Sequence, residues 1–231
     1  MSILARPTKT RMACVDSDEY YRIFRKKVFK LVKMGYDRLD ALRFKNSEEP
    51  DITGELVKQI REVTQERSAP TWACSFDVRD DSPVNVPGRL GKRRPRLDIE
   101  LVLTGRGPHP CYPFEAKRLS GKTFGPQKYL GKGGLQDFLC GKYAAKQSEA
   151  GMLGYVQSDT QEEWANRINR HFKRYISSMR ICPAGNWRFA QEIEDFSHCY
   201  RSKHNRPSVG KPITVYHLLL AFCDVRQTTL F

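Results

Sequence analysis

The stretch "CYPFEAKRL", Cys111 to Leu119, constrains the fold more than any other segment. It is apolar and aromatic, yet it places Glu115 and Lys117 two residues apart. In a β-strand, residues two apart share a face. Glu115 and Lys117 therefore project together, while Phe114 and Ala116 turn the other way into packing. Charges on a strand that reads as buried need partners, because an uncompensated charge away from water is costly.

Periodicity surrounds this strand with helices and further strands. "DSDEYYRIFRKKVFKLVKMG" carries Phe24, Val28, Leu31 and Val32 on one helical face and ends at Gly35. Its other face holds Arg25, Lys26, Lys27, Lys30 and Lys33. These read as a solvated helix surface, with phosphate contact as the alternative. "PDITGELVKQIREVTQER" is a second helix, with Leu56, Ile60 and Val63 in register. "TWACSFDVRDD" and "RLDIELVLTG" read as strands, each followed by turn residues.

Downstream, "GLQDFLCGKYAAKQ" places Leu135, Phe138, Leu139 and Tyr143 at helical spacing. "AGMLGYVQ" has no polar alternation and fits a strand covered on both faces. Asp159 and Glu162 are spaced as a capping box for the helix "TQEEWANRINRHFKRYISSM", whose stripe is Trp164, Ile168, Phe172 and Ile176. "WRFAQEIEDFSHCY" and "ITVYHLLLAFCDV" read as two late strands. Strands interleaved with helices predict an α/β fold, a mixed sheet covered by helices. The chain divides into a basic arm and helical addition over 1–50, a main domain over 51–226 with its core at 51–157, and a tail at 227–231.

Charge narrows the partners. The chain of 231 residues has a formal charge of +14, which favours a polyanion such as nucleic acid. No apolar run reaches the roughly 18–20 residues of a membrane helix, and the start lacks the pattern of a secretory signal. Seven cysteines without a CxxC pair suit reduced thiols in a cytoplasmic protein. "HCYRSKH", with His198, Cys199 and His204, hints at metal ligands but lacks a second pair and reads as polar loop. "SGKT", Ser120 to Thr123, is not a phosphate loop, because Ala116 stands where that loop needs glycine.

Asp98 lies in the strand before "FEAK", with Leu97, Ile99 and Leu101 on its opposite face, turned toward packing. A short connection makes the two strands neighbours, so Asp98 and Glu115 converge. Two converging carboxylates beside a lysine are costly unless a cation is bound. Hard oxygen ligands suit Mg²⁺, with Mn²⁺ as a substitute.

"RLDIEL", a loop, then "FEAK" resembles the catalytic signature of the PD-(D/E)XK nuclease superfamily, which includes many restriction endonucleases. The resemblance spans residues 51–157 and implies a restriction-endonuclease-like core of helix, three strands, helix and strand. It implies that Asp98 and Glu115 hold the metal and that Lys117 is the catalytic lysine. It further implies an acid from the first core helix, for which Glu55 is the matching position. Pro95 stands three residues before Asp98 rather than directly before it.

The basic loops beside this signature supply candidate phosphate contacts in Lys92, Arg93, Arg94, Lys122 and Lys128, and the following helix adds Lys142. The tail "RQTTLF" resembles the short peptide with which bacterial replication proteins bind the sliding clamp, with Gln227, Leu230 and Phe231 as its contacts. The expectation is a cytoplasmic Mg²⁺-dependent nuclease acting on DNA in restriction, repair or anti-phage defence. Its expected partners are DNA, the clamp and a second copy of the chain. The alternatives are an RNase of the same fold and a non-catalytic nucleic-acid-binding subunit.

Overall fold

The computed structural model describes residues 17–105, 109–121, 123–183 and 185–224. Seven strands form one sheet: β1 (Phe76–Pro83), β2 (Arg96–Leu103), β3 (Cys111–Leu119), β4 (Glu149–Val156), β5 (Arg188–Phe189), β6 (Cys199–His204) and β7 (Ile213–Ala221). Their spatial order is β1-β2-β3-β4-β7-β6-β5. β3 and β7 both run parallel to the central β4, and every other neighbouring pair is antiparallel. Helices α1 (Ser17–Tyr36), α2 (Glu49–Gln65), α3 (Pro126–Leu130), α4 (Leu135–Leu139) and α5 (Gln161–Arg174) flank it. The fold is α/β with a mixed sheet, as the interleaved pattern predicts.

Strand alternation sorts two cores onto the two faces. Tyr112, Phe114 and Ala116 of β3 join α1, α2, and Leu153 and Tyr155 of β4 in one cluster. Leu119, on the Glu115 and Lys117 side, joins α3, α4, α5, Ala150 and Met152 in the other. α1 is integral to the first core: the Phe29 ring lies 5.5 Å from Tyr112, 5.9 Å from Phe114 and 5.5 Å from Tyr216. Two glycines permit this packing. A Cβ on Gly35 would meet Ile60 Cγ1 at 2.4 Å, and one on Gly151 would meet the Phe114 ring at 2.1 Å. Gly35 thus serves contact between α1 and α2, and the helix continues one residue beyond it.

The basic face of α1 is largely engaged within the chain. Arg25 pairs with Glu149 at 2.5 Å, Lys30 with Asp195 at 2.9 Å and Lys33 with Asp37 at 2.6 Å. That favours the structural reading of this face over phosphate contact.

Several boundaries depart from the periodicity. The expected helix over 134–147 stops at Leu139, because Gly141 turns the chain at a φ of 75°. Tyr143 is still buried, but its hydroxyl donates to Arg96 O at 2.8 Å. The glycine-rich loop before it contains α3, started by Pro126 in its first turn. The capping box of α5 is built by Thr160 and Glu163, one residue on from Asp159 and Glu162. Asp159 instead adopts a φ of 62° and pairs with Arg167. The expected strand "WRFAQEIEDFSHCY" is the two-residue β5, a set of turns, and then the start of β6.

"HCYRSKH" is strand rather than loop. His204 is fully buried, with Nε2 at 2.7 Å from Ser202 Oγ and Nδ1 at 2.6 Å from Met179 O. Ser202 Oγ also lies 2.8 Å from His217 Nε2, and His217 Nδ1 lies 3.1 Å from the Tyr129 hydroxyl. This chain of hydrogen bonds satisfies both imidazoles inside the second core.

Candidate active site

β3 has two neighbours for only part of its length. Its pairing with β2 ends at Ile99 opposite Phe114, whereas its pairing with β4 continues to Leu119 opposite Val156. Beyond Phe114, two carboxylates take over the edge that β2 leaves. Asp98 Oδ2 accepts the Ala116 N–H at 2.7 Å, and Glu49 Oε2 accepts the Arg118 N–H at 3.2 Å. The site sits in this fork.

Lys117 is its centre. Nζ lies 2.7 Å from Glu49 Oε1, 3.0 Å from Glu115 Oε1 and 3.8 Å from Asp98 Oδ2. It also donates to the Ala116 carbonyl at 2.5 Å. Glu115 forms the floor, with its side chain 5% exposed. Its Oε2 is buried and has no hydrogen-bond partner.

The electrostatics follow from one cation among three acids. Burial, and then the Asp98 charge, push the Glu115 carboxyl up to about 8, against the pull of Lys117. Burial also raises Asp98, opposed by Lys117 and the Ala116 N–H. Burial works against the Lys117 ammonium, but Glu115, Glu49 and Asp98 outweigh it and raise its pKa. Lys117 is held protonated and Glu115 is poised near neutrality.

The residues singled out from sequence divide clearly. Asp98, Glu115 and Lys117 converge. Glu55 does not join them: it bonds Gln59 at 2.9 Å and Lys58 at 3.2 Å on an outer edge of α2. The acid that α2 brings to the site is Glu49, six residues earlier and so about 120° around the helix from Glu55. Its signal is the acid directly before Pro50, since proline opens the first turn of a helix and acids are favoured there.

Among the basic candidates, Lys142 pairs with Asp137 and lies over the Tyr143 ring. Lys92 and Arg93 are exposed in a 3₁₀ turn, and Arg94 donates to Asn85 Oδ1 at 2.9 Å. Lys128 is exposed on α3. Lys122 and the tail residues Gln227, Leu230 and Phe231 lie outside the described residues.

The donor set suits a hard divalent cation with few protein ligands. Among the described residues no group of three or more His, Cys, Asp or Glu side chains is arranged to enclose an ion. Two carboxylates are enough for Mg²⁺, which keeps several waters and accepts phosphate oxygens. The orphaned Glu115 Oε2 is the atom that a cation would satisfy. Asp98, one of whose oxygens is committed to Ala116, is the second ligand at hand.

No protein-family model, curated protein or solved structure matches this chain. No helix among the described residues is long and apolar enough to cross a membrane.

Proposed function

We propose that the chain is a Mg²⁺-dependent nuclease that hydrolyses DNA phosphodiester bonds in the cytoplasm, with the restriction-endonuclease-like arrangement of the PD-(D/E)XK enzymes. The observation that carries this reading is Lys117 gathered with Asp98, Glu115 and Glu49 at the β2–β3 fork, over a buried carboxylate oxygen without a partner.

Asp98 and Glu115 would hold the ion, which supplies Lewis-acid activation of water and neutralisation of phosphate charge. Glu115 must release its proton to serve, so the site matures as pH rises toward 8. Lys117 acts as a proton-holding donor rather than a base, because its neighbours raise its pKa. One of its N–H groups, turned from a protein acceptor, would hydrogen-bond a non-bridging phosphate oxygen and stabilise charge there as the P–O ester bond breaks. Glu49 fixes the ammonium in position. In the hydrolysis a water oxygen bonds to phosphorus, and the departing ester oxygen leaves with a proton.

The test is cleavage of supercoiled, linear and single-stranded DNA and of RNA by the full chain, with Mg²⁺ and with EDTA. Expected are cutting of DNA that EDTA abolishes and a loss of at least about 100-fold in Lys117→Ala. A Lys117→Ala protein that cuts as fast as the parent overturns the reading. RNA as the only substrate cut replaces DNA with RNA.

A further inference from the structure

Outside the β2–β3 fork, the helical face of the second core carries a strip of cations that the site does not use. On α5, Arg167, Arg170 and Arg174 follow at three- and four-residue spacing, so they share one face. The buried stripe of Trp164, Ile168 and Phe172 anchors the helix beneath them. With Pro126, Gln127 and Tyr175 they line an open recess of about 440 Å³.

A second recess, about 530 Å³, is lined by Arg89, Lys132, Lys142 and Arg180 among others. Two short stretches of chain, 175–180 and 127–132, each carry residues of both recesses. The turn after α5 links Tyr175 to the far recess: the Ser178 hydroxyl donates to Tyr175 O at 3.0 Å, and the Met179 N–H donates to the same oxygen at 2.9 Å. Across from it, the Gly131 N–H donates to Gln127 O at 2.9 Å, placing Lys132 one residue beyond.

The strip is strongly unbalanced. Arg167 is paired with Asp159 and Lys142 with Asp137. Among the described residues, Arg89, Lys132, Arg170, Arg174 and Arg180 have no carboxylate partner within ion-pair distance. Tyr175 in the first recess is 41% exposed, its ring 4.5 Å from that of His171 and 5.5 Å from the Arg174 guanidinium. From Lys142 of the second recess, contacts lead toward the candidate site. Tyr143 packs beneath Lys142 Nζ, and its hydroxyl bonds the carbonyl of Arg96, two residues from Asp98.

We propose that this strip is a track for single-stranded DNA. Its phosphates run along the unpaired arginines and Lys132, and one base stacks on Tyr175. A duplex offers phosphates but no free base face. An exposed aromatic among cations is the combination that single strands use. The role of the track, delivering one strand to Lys117, rests on the nuclease reading, whereas the binding itself does not.

The test is fluorescence anisotropy with a labelled 20-nucleotide DNA and its duplex, in EDTA, on the full chain. The parent should bind the single strand more tightly than the duplex. Arg170→Glu with Arg174→Glu should weaken single-strand binding at least tenfold and flatten its salt dependence. Lys132→Glu with Arg180→Glu, on the other recess, should do the same. Tyr175→Ala should cost roughly five- to tenfold with the single strand and little with the duplex. Circular dichroism and a thermal melt check that each variant folds. Unchanged binding in both charge-reversal pairs overturns the track, and so does a duplex bound as tightly as the single strand. Lys117-dependent cleavage that survives such a result leaves the nuclease standing. Strip-dependent binding by a parent that never cleaves defeats the nuclease and not the track.

Discussion

Glu49, in the first turn of α2, holds Lys117 of β3 with Oε1 at 2.7 Å from Nζ while its second oxygen accepts the N–H of Arg118. One carboxylate therefore fixes both the side chain at the centre of the site and the backbone that carries it. Glu49→Ala should lower DNA cleavage about 10- to 100-fold and destabilise the fold by about 1–3 kcal/mol, because it strands a donor and frees the ammonium. Glu55→Ala should leave both within twofold and about 0.5 kcal/mol, as for an exposed helix pair. Plasmid nicking rates and urea midpoints decide the matter, and equal effects of the two substitutions would reverse the assignment.

Glu115 should make the fold less stable as the solution becomes more alkaline. Its carboxyl titrates near 8 in the folded chain against an ordinary value of 4.5. Below 4.5 both states are protonated and the group contributes no pH dependence. Between 4.5 and 8 the unfolded chain releases the proton and the folded chain keeps it, so stability falls by up to about 1.4 kcal/mol per pH unit. Glu115→Gln should gain on the parent across that window while losing cleavage. Urea denaturation at pH 5, 7 and 8.5 reads the effect, and parallel pH slopes in the two proteins would sink it.

Magnesium should reverse that penalty. An ion that binds only the folded chain stabilises it by about 2.7 kcal/mol at one hundred times its Kd. For a domain of this size that corresponds to a rise of about 5–11 °C in Tm. Differential scanning fluorimetry should show the rise in the parent and not in Asp98→Asn or Glu115→Gln. An equal shift in all three proteins would place the ion elsewhere.

The acid limb belongs to the buried histidines. Burial lowers His204 to about 4 and holds His217 well below its ordinary 6.5. Above 6.5 both are neutral in either state. As pH falls from 6.5 toward 4, the unfolded chain takes up protons that the folded chain refuses, and stability is lost. With Glu115 acting in the other direction, thermal stability should peak between about pH 6 and 7. Midpoints that climb steadily from pH 7 down to pH 4 would contradict the buried network.

Arg206 offers a test of packing alone. It is fully buried, and its guanidinium donates to Ala144 O and Gln147 O at 2.8 Å and to Lys211 O at 3.2 Å. Arg206→Ala should cost about 2–4 kcal/mol by leaving the buried Ala144 carbonyl and the partly buried acceptors of Gln147 and Lys211 without this donor. Lys at this position should rescue less than half of that loss, since a point charge cannot serve three acceptors held by a planar fork. Chemical denaturation of the two variants measures both quantities.

The strands were more legible than the connections. "FEAK" could be read because strand parity is a rule of geometry, and the same parity placed Phe114 and Ala116 in the core. Asp98 followed from adjacency across a short connection. The helix contribution was harder, because Glu49 and Glu55 both lie on α2 and only the azimuth separates them. That azimuth depends on which helix face meets the sheet. The loop reading of His204 fails because its partners, Ser202, Met179 and, through Ser202, His217, include elements remote in sequence. The interrupted helix near Gly141 escaped notice because apolar spacing persists through Tyr143 after the backbone has turned.

The alternation of β3 also bears on how this chain tolerates change. Tyr112, Phe114 and Ala116 hold one core, while Glu115 and Lys117 hold the fork on the other face. Deleting one residue inside this strand would exchange the two sets, burying the charges among aromatics and exposing the aromatics to the fork. No neighbouring substitution can offset such a slip. Insertions in the 104–110 connection leave the parity untouched. Length variation among descendants of this sequence should therefore collect in that connection, while β3 varies only by replacement in place.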